Sequence, residues 1–191
     1  MDLSLNSTQR RDKNVRKSSL EEIHQRLDAE GLTAENLRKC PICRIGKKDP
    51  DFPKHYYVYE SPSVVGFLDH FPTKIGHVIV APKAHVESLW EMSLEAYTNL
   101  QTVVYLLYGA LLKAFDPERI YVCCLGSSTP ERLSYPHIHF HLLPIPKGDS
   151  ERNPIIALSK KLSGVYNFLP EEWEDIASKI RLNLRVISEN I

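Results

Sequence analysis

Three histidines, His137, His139 and His141, alternate with Ile138, Phe140 and Leu142. Side chains of an extended strand alternate between its two faces. The spacing therefore predicts three imidazoles on one face and three apolar side chains turned to a core. Clustered imidazoles suit few tasks: metal ligation, acid–base work, nucleophilic attack, or anchoring of a phosphate. The bland alternative is a half-buried strand that merely turns polar residues outward.

Two further groups carry chemistry-bearing residues. Cys40-Pro-Ile-Cys43 is a C-x-x-C pair, which by itself fits redox use, half of a zinc site, or two buried thiols. Redox use of the thioredoxin kind wants a strand before the pair and a helix after it. Here a helical pattern precedes and the polar run 47–51 follows, so half a zinc site leads and needs two more ligands from elsewhere. The second group lies in residues 67–85, where Asp69 and Pro72 precede an apolar run that Pro82-Lys83-Ala84-His85 closes.

The run His137-Ile138-His139-Phe140-His141-Leu142-Leu143 resembles, without mismatch, the signature of the histidine-triad (HIT) family of nucleotide-binding hydrolases and transferases. Residues 67–85 are similar to the family's second landmark: an acidic residue, a proline, then a strand closed by Pro-Lys-x-His. With the cysteine pair in family order, the resemblance covers about residues 40–146.

What the resemblance implies can be written residue by residue. Asp69 matches the carboxylate that accepts hydrogen bonds from both ribose hydroxyls, a task suited to two acceptor oxygens in one plane. Phe67, His70 and Ile42 would line the slot for the base, although Phe67 also suits plain core packing. Cys40, Cys43, His85 and His137 match the ligands of a structural zinc, a closed tetrahedral shell with no open position for water. His139 matches the nucleophile, needing Nδ1–H held by a backbone carbonyl and Nε2 bare. A metal-fixed His137 would hold that backbone still. His137 also counts as a triad member, and His141 matches the member that contacts phosphate oxygens. Ser134 matches a hydroxyl that contacts phosphate or leaving group. The sequence departs from the family at Arg132-Leu133, where many members carry a glycine-rich loop ending in Gln. Leu133 offers no side-chain donor, so Arg132 or Ser127 and Ser128 would have to serve.

The implied function is a hydrolase attacking the α-phosphorus of a purine nucleotide conjugate, a phosphoramidate or a dinucleoside polyphosphate, through a nucleotidyl-His139 intermediate. The uridylyltransferase branch carries Gln in place of the third histidine, so His141 favours the hydrolase or phosphorylase branches. The alternatives are a dinucleoside-polyphosphate phosphorylase or nucleotidyltransferase, and a catalytically weak, zinc-stabilised nucleotide-binding module. A catalytic metal at the triad is a further reading.

These residues need elements to hold them. Segments 56–60 and 63–68, split by Ser61-Pro62, read as a β-hairpin, and residues 76–81 as a third strand closed by Pro82. Ser93 caps a long helix with Ala96, Leu100, Val103, Leu107, Leu111 and Ala114 at helical spacing, ending near Asp116-Pro117. Residues 120–125 form a fourth strand, with one of Cys123 and Cys124 buried and the other outward, and the triad strand is the fifth. The fold class is α+β: a HIT-like five-stranded antiparallel sheet with one long helix packed across it, plus N- and C-terminal helical extensions.

Outside that sheet, residues 1–17 read as a disordered basic tail. Ser19 and Glu22 form a capping-box pattern ahead of Leu20, Ile23 and Leu27, with Gly31 ending the helix and a short turn at 33–37. The HIT domain is placed at 18–146, its motif-bearing core at 40–146. Residues 147–191 form a polar linker and an amphipathic helix that opens at Pro170 and carries Trp173, Ile176, Ala177, Ile180 and Leu184 on one face. Packing on the main domain or on a partner subunit would bury that face.

Composition narrows the partners. Lys plus Arg and Asp plus Glu are balanced at 24 each, so no global charge points to nucleic acid or membrane. No apolar run approaches the length of a membrane span and the N-terminus lacks a signal-peptide core, so a cytoplasmic protein with reduced thiols is expected. The resemblance also implies pairing of two copies about a two-fold axis.

Overall fold

A computed structural model describes residues 17–29, 39–126, 135–150 and 152–189. The valine- and tyrosine-rich segments pair as a hairpin of β2 (Tyr57–Glu60) and β3 (Val64–Leu68), preceded in the chain by the short β1 (Lys17–Ser18). β3 continues onto β4 (Val78–Pro82), β4 onto β6 (Phe140–Ile145), and β6 onto the edge strand β5 (Arg119–Cys124). All four pairings are antiparallel, in the order β2-β3-β4-β6-β5. The α+β architecture thus matches the expectation from sequence.

Register explains the site. Phe67 pairs with Ile79, Ile79 with His141, and His141 with Cys123, so these four share one face of the sheet. Their neighbours Leu68, Val78 and Leu142 point the other way, into the main core. That core is closed by the long helix, whose residues Leu100, Val103, Leu107, Leu111 and Ala114 are buried. Ser93 caps it, accepting from the Ala96 N–H at 3.1 Å, and Asp116 ends it in the left-handed region at φ 45°. Ala96 sits in the exposed first turn, outside the stripe predicted for it. The helix comes so close to the sheet at Gly66 that a Cβ there would lie 3.0 Å from the Leu107 Cδ1. Glycine is the residue that lets the two layers meet.

The remaining helices are α1 (Leu20–Ala29), α2 (Pro41–Gly46), α4 (Pro154–Leu158), α5 (Lys160–Ser163) and α6 (Pro170–Ser188), the long helix Leu94–Phe115 being α3. α6 lies beside α3 and buries Ala177, Ile180 and Leu184, with Trp173 and Ile176 packed against the same core. Its apolar stripe therefore faces this chain's own domain. The opposite face of the sheet is covered by α2, whose Ile45 packs on Val65 and Phe67, and by α4, whose Ala157 packs on Leu143 and Ile145.

Three details depart from the sequence reading. Lys17 and Ser18 are a strand, paired with β7 (Val165–Tyr166), so Lys17, the last residue of the expected tail, belongs to a sheet. The remainder of that tail, Gly31 and the turn at 33–37 lie outside the described residues. The polar stretch after Pro146 carries α4, α5 and β7 before α6. Cys43 lies within α2, and Cys40 stands just before it, where a helix had been expected only upstream.

Candidate active site and metal centre

The strand bearing the triad begins later than its alternation suggests. β6 starts at Phe140, so only His141 lies within the ladder, while His137 and His139 sit on the extended approach to it. Along that approach the Ile138 N–H donates to the Val86 carbonyl at 2.8 Å in place of a sheet partner. The apolar half of the pattern holds: Phe140 and Leu142 are core, and Ile138 packs against it. The imidazoles, however, divide between two places. His139 and His141, with ring centroids 4.8 Å apart, face a cleft, whereas the His137 ring turns to the cysteine pair.

At the cysteine pair four donor atoms converge. His137 Nδ1 lies 3.3 Å from Cys40 Sγ, 3.5 Å from Cys43 Sγ and 3.1 Å from His85 Nδ1, which is 3.4 Å from Cys43 Sγ. A tetrahedral zinc with bonds of about 2.3 Å to sulfur and about 2.0 Å to nitrogen sets S···N edges of about 3.5 Å and N···N edges of about 3.3 Å. The cluster is close to that size. Both imidazoles are also oriented from behind. His137 Nε2–H donates to the Pro82 carbonyl at 3.0 Å, and His85 Nε2 lies 3.2 Å from Glu87 Oε1. Each contact leaves the Nδ1 lone pair free, the tautomer a ligand needs. Burial pushes the Cys40 thiol up to about 12, so only a nearby cation makes it a thiolate near neutral pH. The donors fit zinc in number, type and spacing.

The cleft, of about 670 Å³ counting its open mouth, is lined by Ile42, Phe67, Asp69, His70, His139 and His141, all singled out from sequence. His137 does not line it, and Ser134 lies outside the described residues, as do Ser127, Ser128, Arg132 and Leu133. Its walls come from the element order. Phe67 is held by the sheet, and Ile42 by α2. His55, unremarked in the sequence reading, stacks on Phe52 at 5.4 Å and meets Phe67 edge-on at 5.6 Å and His70 at 5.5 Å. Flat apolar walls of this kind suit an aromatic ring.

Within the cleft, His139 is buried and its Nδ1 lies 2.7 Å from the His137 carbonyl oxygen. A carbonyl only accepts, so Nδ1 carries the proton and Nε2 is bare. Burial lowers its pKa, keeping the ring neutral. His141 Nδ1 lies 2.9 Å from His77 Nε2, and His77 Nδ1 lies 3.4 Å from Asp69 Oδ2. His77 was part of the sequence landmark but had no role there. Only the fold, which puts it beside His141, reveals one. The other oxygen of Asp69 accepts the Phe71 N–H at 2.9 Å. Burial alone would raise the Asp69 carboxyl. The charges of Lys160, His77 and His141 together with that N–H hold it well below the usual carboxylate range.

For His77, burial pushes the imidazole down to about 4 despite the upward pull of Asp69, with Lys160 and His139 adding to the fall. Burial, then His77 and His139, likewise hold His141 well below its ordinary value. The unfolded chain takes up the His77 proton near pH 6.5, the folded chain only near pH 4. This contribution to stability is complete above about pH 6.5 and drains away as pH falls toward 4, at about 1.4 kcal/mol per unit. Urea midpoints between pH 7 and 4 should therefore fall less steeply in His77→Gln, by about one proton's slope. An unchanged slope would locate the pH sensitivity elsewhere.

Cys123 is half-buried among Tyr121, Leu143 and Ile145 while Cys124 is exposed, the division expected for neighbouring strand positions.

Comparison with known proteins agrees with this geometry. The chain matches the HIT domain over residues 53–148. It is 31 % identical over 146 residues to the adenosine 5'-monophosphoramidase of Schizosaccharomyces pombe, covering 74 % of this chain and 98 % of that one. Among solved structures, a hypothetical histidine triad nucleotide-binding protein of Sulfolobus tokodaii superposes with a TM-score of 0.64 at 25 % identity, over 80 % of this chain and 96 % of the other. A zinc-bound histidine triad family protein of Mycobacterium smegmatis gives 0.60 at 21 % identity, over 81 % and 99 %. With its motif, its sheet and half its length accounted for in this way, the chain belongs to the histidine-triad (HIT) family.

Proposed function

We propose that the protein is a nucleotide hydrolase that attacks the α-phosphorus of a purine nucleotide conjugate with His139. The observation that carries this reading is the 2.7 Å contact between His139 Nδ1 and the His137 carbonyl, which leaves a bare Nε2 inside the cleft. A neutral, oriented imidazole is a good nucleophile and later a good leaving group. On this reading the base lies among Ile42, Phe67, His55 and His70, the ribose hydroxyls reach Asp69, and the α-phosphate lies between His139 and His141. Cys40, Cys43, His85 and His137 hold zinc, which when bound supplies a rigid, redox-inert cross-link.

In the first step His139 Nε2 forms a bond to phosphorus while the P–N bond of a phosphoramidate breaks. The departing nitrogen leaves as an amine, taking a proton from water at the cleft mouth. Nδ1–H stays on the His137 carbonyl throughout. In the second step water attacks phosphorus, the Nε2–P bond breaks, and the water's proton passes to solvent. The sum is one water consumed, with nucleoside monophosphate and amine released.

The relationship to a phosphoramidase supports phosphoramidates as the first substrates to try. Acid-free quenching of the reaction with adenosine 5'-phosphoramidate, followed by intact-mass and peptide analysis, should find a nucleotidyl group on His139. Free AMP should be the product. Release of AMP with no adduct in the burst phase, or an adduct on another residue, would refute the assignment. Added inorganic phosphate should leave the product unchanged; a nucleoside diphosphate in its place would make the enzyme a phosphorylase.

A further inference from the structure

The C-terminal extension puts a lysine into the cleft. Lys160 opens α5, a turn pinned by the Ser159 hydroxyl, which accepts the Leu162 N–H at 3.2 Å. Its ammonium Nζ lies 3.3 Å from Asp69 Oδ2 and 3.5 Å from Oδ1, straddling the carboxylate, and 5.5 Å from the centroid of the Phe71 ring. The Lys160 side chain is 17 % exposed and that of Asp69 only 5 %. Both line the same cleft as His139 and His141. The other groups facing Asp69 are the Phe71 N–H, which is uncharged, and His77, which burial keeps neutral at pH 7. With His141 also held neutral by burial, Lys160 sets a cation against this buried charge at pH 7.

A vicinal diol binds a carboxylate through both oxygens, and the ammonium covers both. The two compete for the same oxygens of Asp69. This inference rests on the reading above that Asp69 receives the ribose. We propose that Lys160 is a built-in occupant of the ribose subsite that moves to the α-phosphate when a nucleotide binds, so that the cleft accepts nucleotides and rejects bare nucleosides. Displacing the ammonium from a buried carboxylate is costly when it gains nothing in return. A bound phosphate offers it a new anion within the same cleft, and the flexible four-carbon stem suits a move over that span. A nucleoside bears the cost alone. The device also supplies a cation to a chain whose Leu133 has no side-chain donor to give a phosphate.

The test compares adenosine with AMP by calorimetry at pH 7.5, in wild type and in Lys160→Met, which keeps the stem and loses the charge. Adenosine should bind about tenfold more tightly to Lys160→Met and AMP more weakly, so that the AMP-to-adenosine preference falls by at least about tenfold. Lys160→Arg should keep the wild-type preference. If both ligands shift together and the preference stays within about twofold, Lys160 is a structural ion pair and the proposal is wrong. The wild-type protein provides a second measurement should Lys160→Met not fold. A structure with AMP should show Nζ within hydrogen-bonding reach of a phosphate oxygen and away from Asp69, and an ammonium still on Asp69 overturns the proposal. Wild type that binds neither ligand would fell the nucleotide reading itself, whereas binding of AMP with an unaltered preference in the variant would fell this inference alone.

Discussion

His139→Asn should lower turnover of adenosine 5'-phosphoramidate by a factor on the order of 10⁴ or more while changing AMP affinity by less than about threefold. The asymmetry follows from where the ring sits. On the proposed reading His139 would meet phosphorus, whereas ribose and base would be held by Asp69 and Phe67 at the end of β3 and by their neighbours. Asparagine retains a side-chain donor in reach of the His137 carbonyl but has no nitrogen able to take a phosphoryl group. The loss should appear in kcat, with single-turnover experiments showing no burst and mass analysis no adduct. A milder fall, of about tenfold, would mean that His139 only positions the phosphate and that water attacks directly. His141→Asn makes the contrasting case. It keeps the nucleophile and breaks the contact to His77, so an adduct should still form, more slowly.

The sheet and the motif were legible because both follow from short-range periodicity. The alternation at Ile138, Phe140 and Leu142 marks a core-facing edge whether or not the ladder has begun. The α3 stripe and the α6 stripe likewise name the faces that meet. What could not be read was long-range. His77 looks like the polar start of an apolar strand until β4 and β6 are paired, and Lys160 is one lysine of three in the polar stretch after Pro146 until α5 folds back over Phe71. His55 acquires a role only through stacking on Phe52. The division of the triad between two sites had no signal in the alternation itself; only the resemblance to zinc-bearing family members gave His137 to the cysteine pair. An alternating pattern says that side chains share a face, and says nothing about a bend at His137 that turns one ring to another cluster.

The two extensions share one task. β1 and β7 pair with each other, the Tyr166 N–H donates to the Pro72 carbonyl at 2.9 Å, and Ile23 and Leu27 of α1 pack with Phe71 and Val165. Segments from both ends of the chain thereby brace the loop that carries Asp69, His70 and Phe71. Leu27 and Lys160, one from each extension, reach the cleft itself. Both groups lie outside residues 53–148, the part of the chain that matches the HIT domain.

Zinc removal should act on stability and on catalysis by separate routes. Cys43→Ser, or prolonged exposure of wild type to a strong chelator, should take the metal content from one equivalent per chain to near none and lower Tm by about 10 °C or more. The size follows from what the four ligands join. Cys40 precedes α2 and Cys43 lies in its first turn, His85 follows β4, and His137 precedes β6, so a zinc held by them would close long loops and tie the cleft wall formed by α2 to the sheet. The protein should nonetheless stay folded, because the core between α3, α6 and the sheet contains none of these residues. That distinguishes it from small zinc domains that unfold without metal. The catalytic effect runs through one atom, the His137 carbonyl oxygen, which fixes the His139 tautomer. A His137 ring freed from the thiols lets that carbonyl drift, so kcat should fall about tenfold while KM for the nucleotide changes little. Restoring zinc should recover both properties in chelated wild type and neither in Cys43→Ser. Purified protein with no stoichiometric metal, and a Tm indifferent to chelator, would remove zinc from the account and leave His137 anchored by its Nε2 contact to the Pro82 carbonyl and by the Ile138 N–H on the Val86 carbonyl.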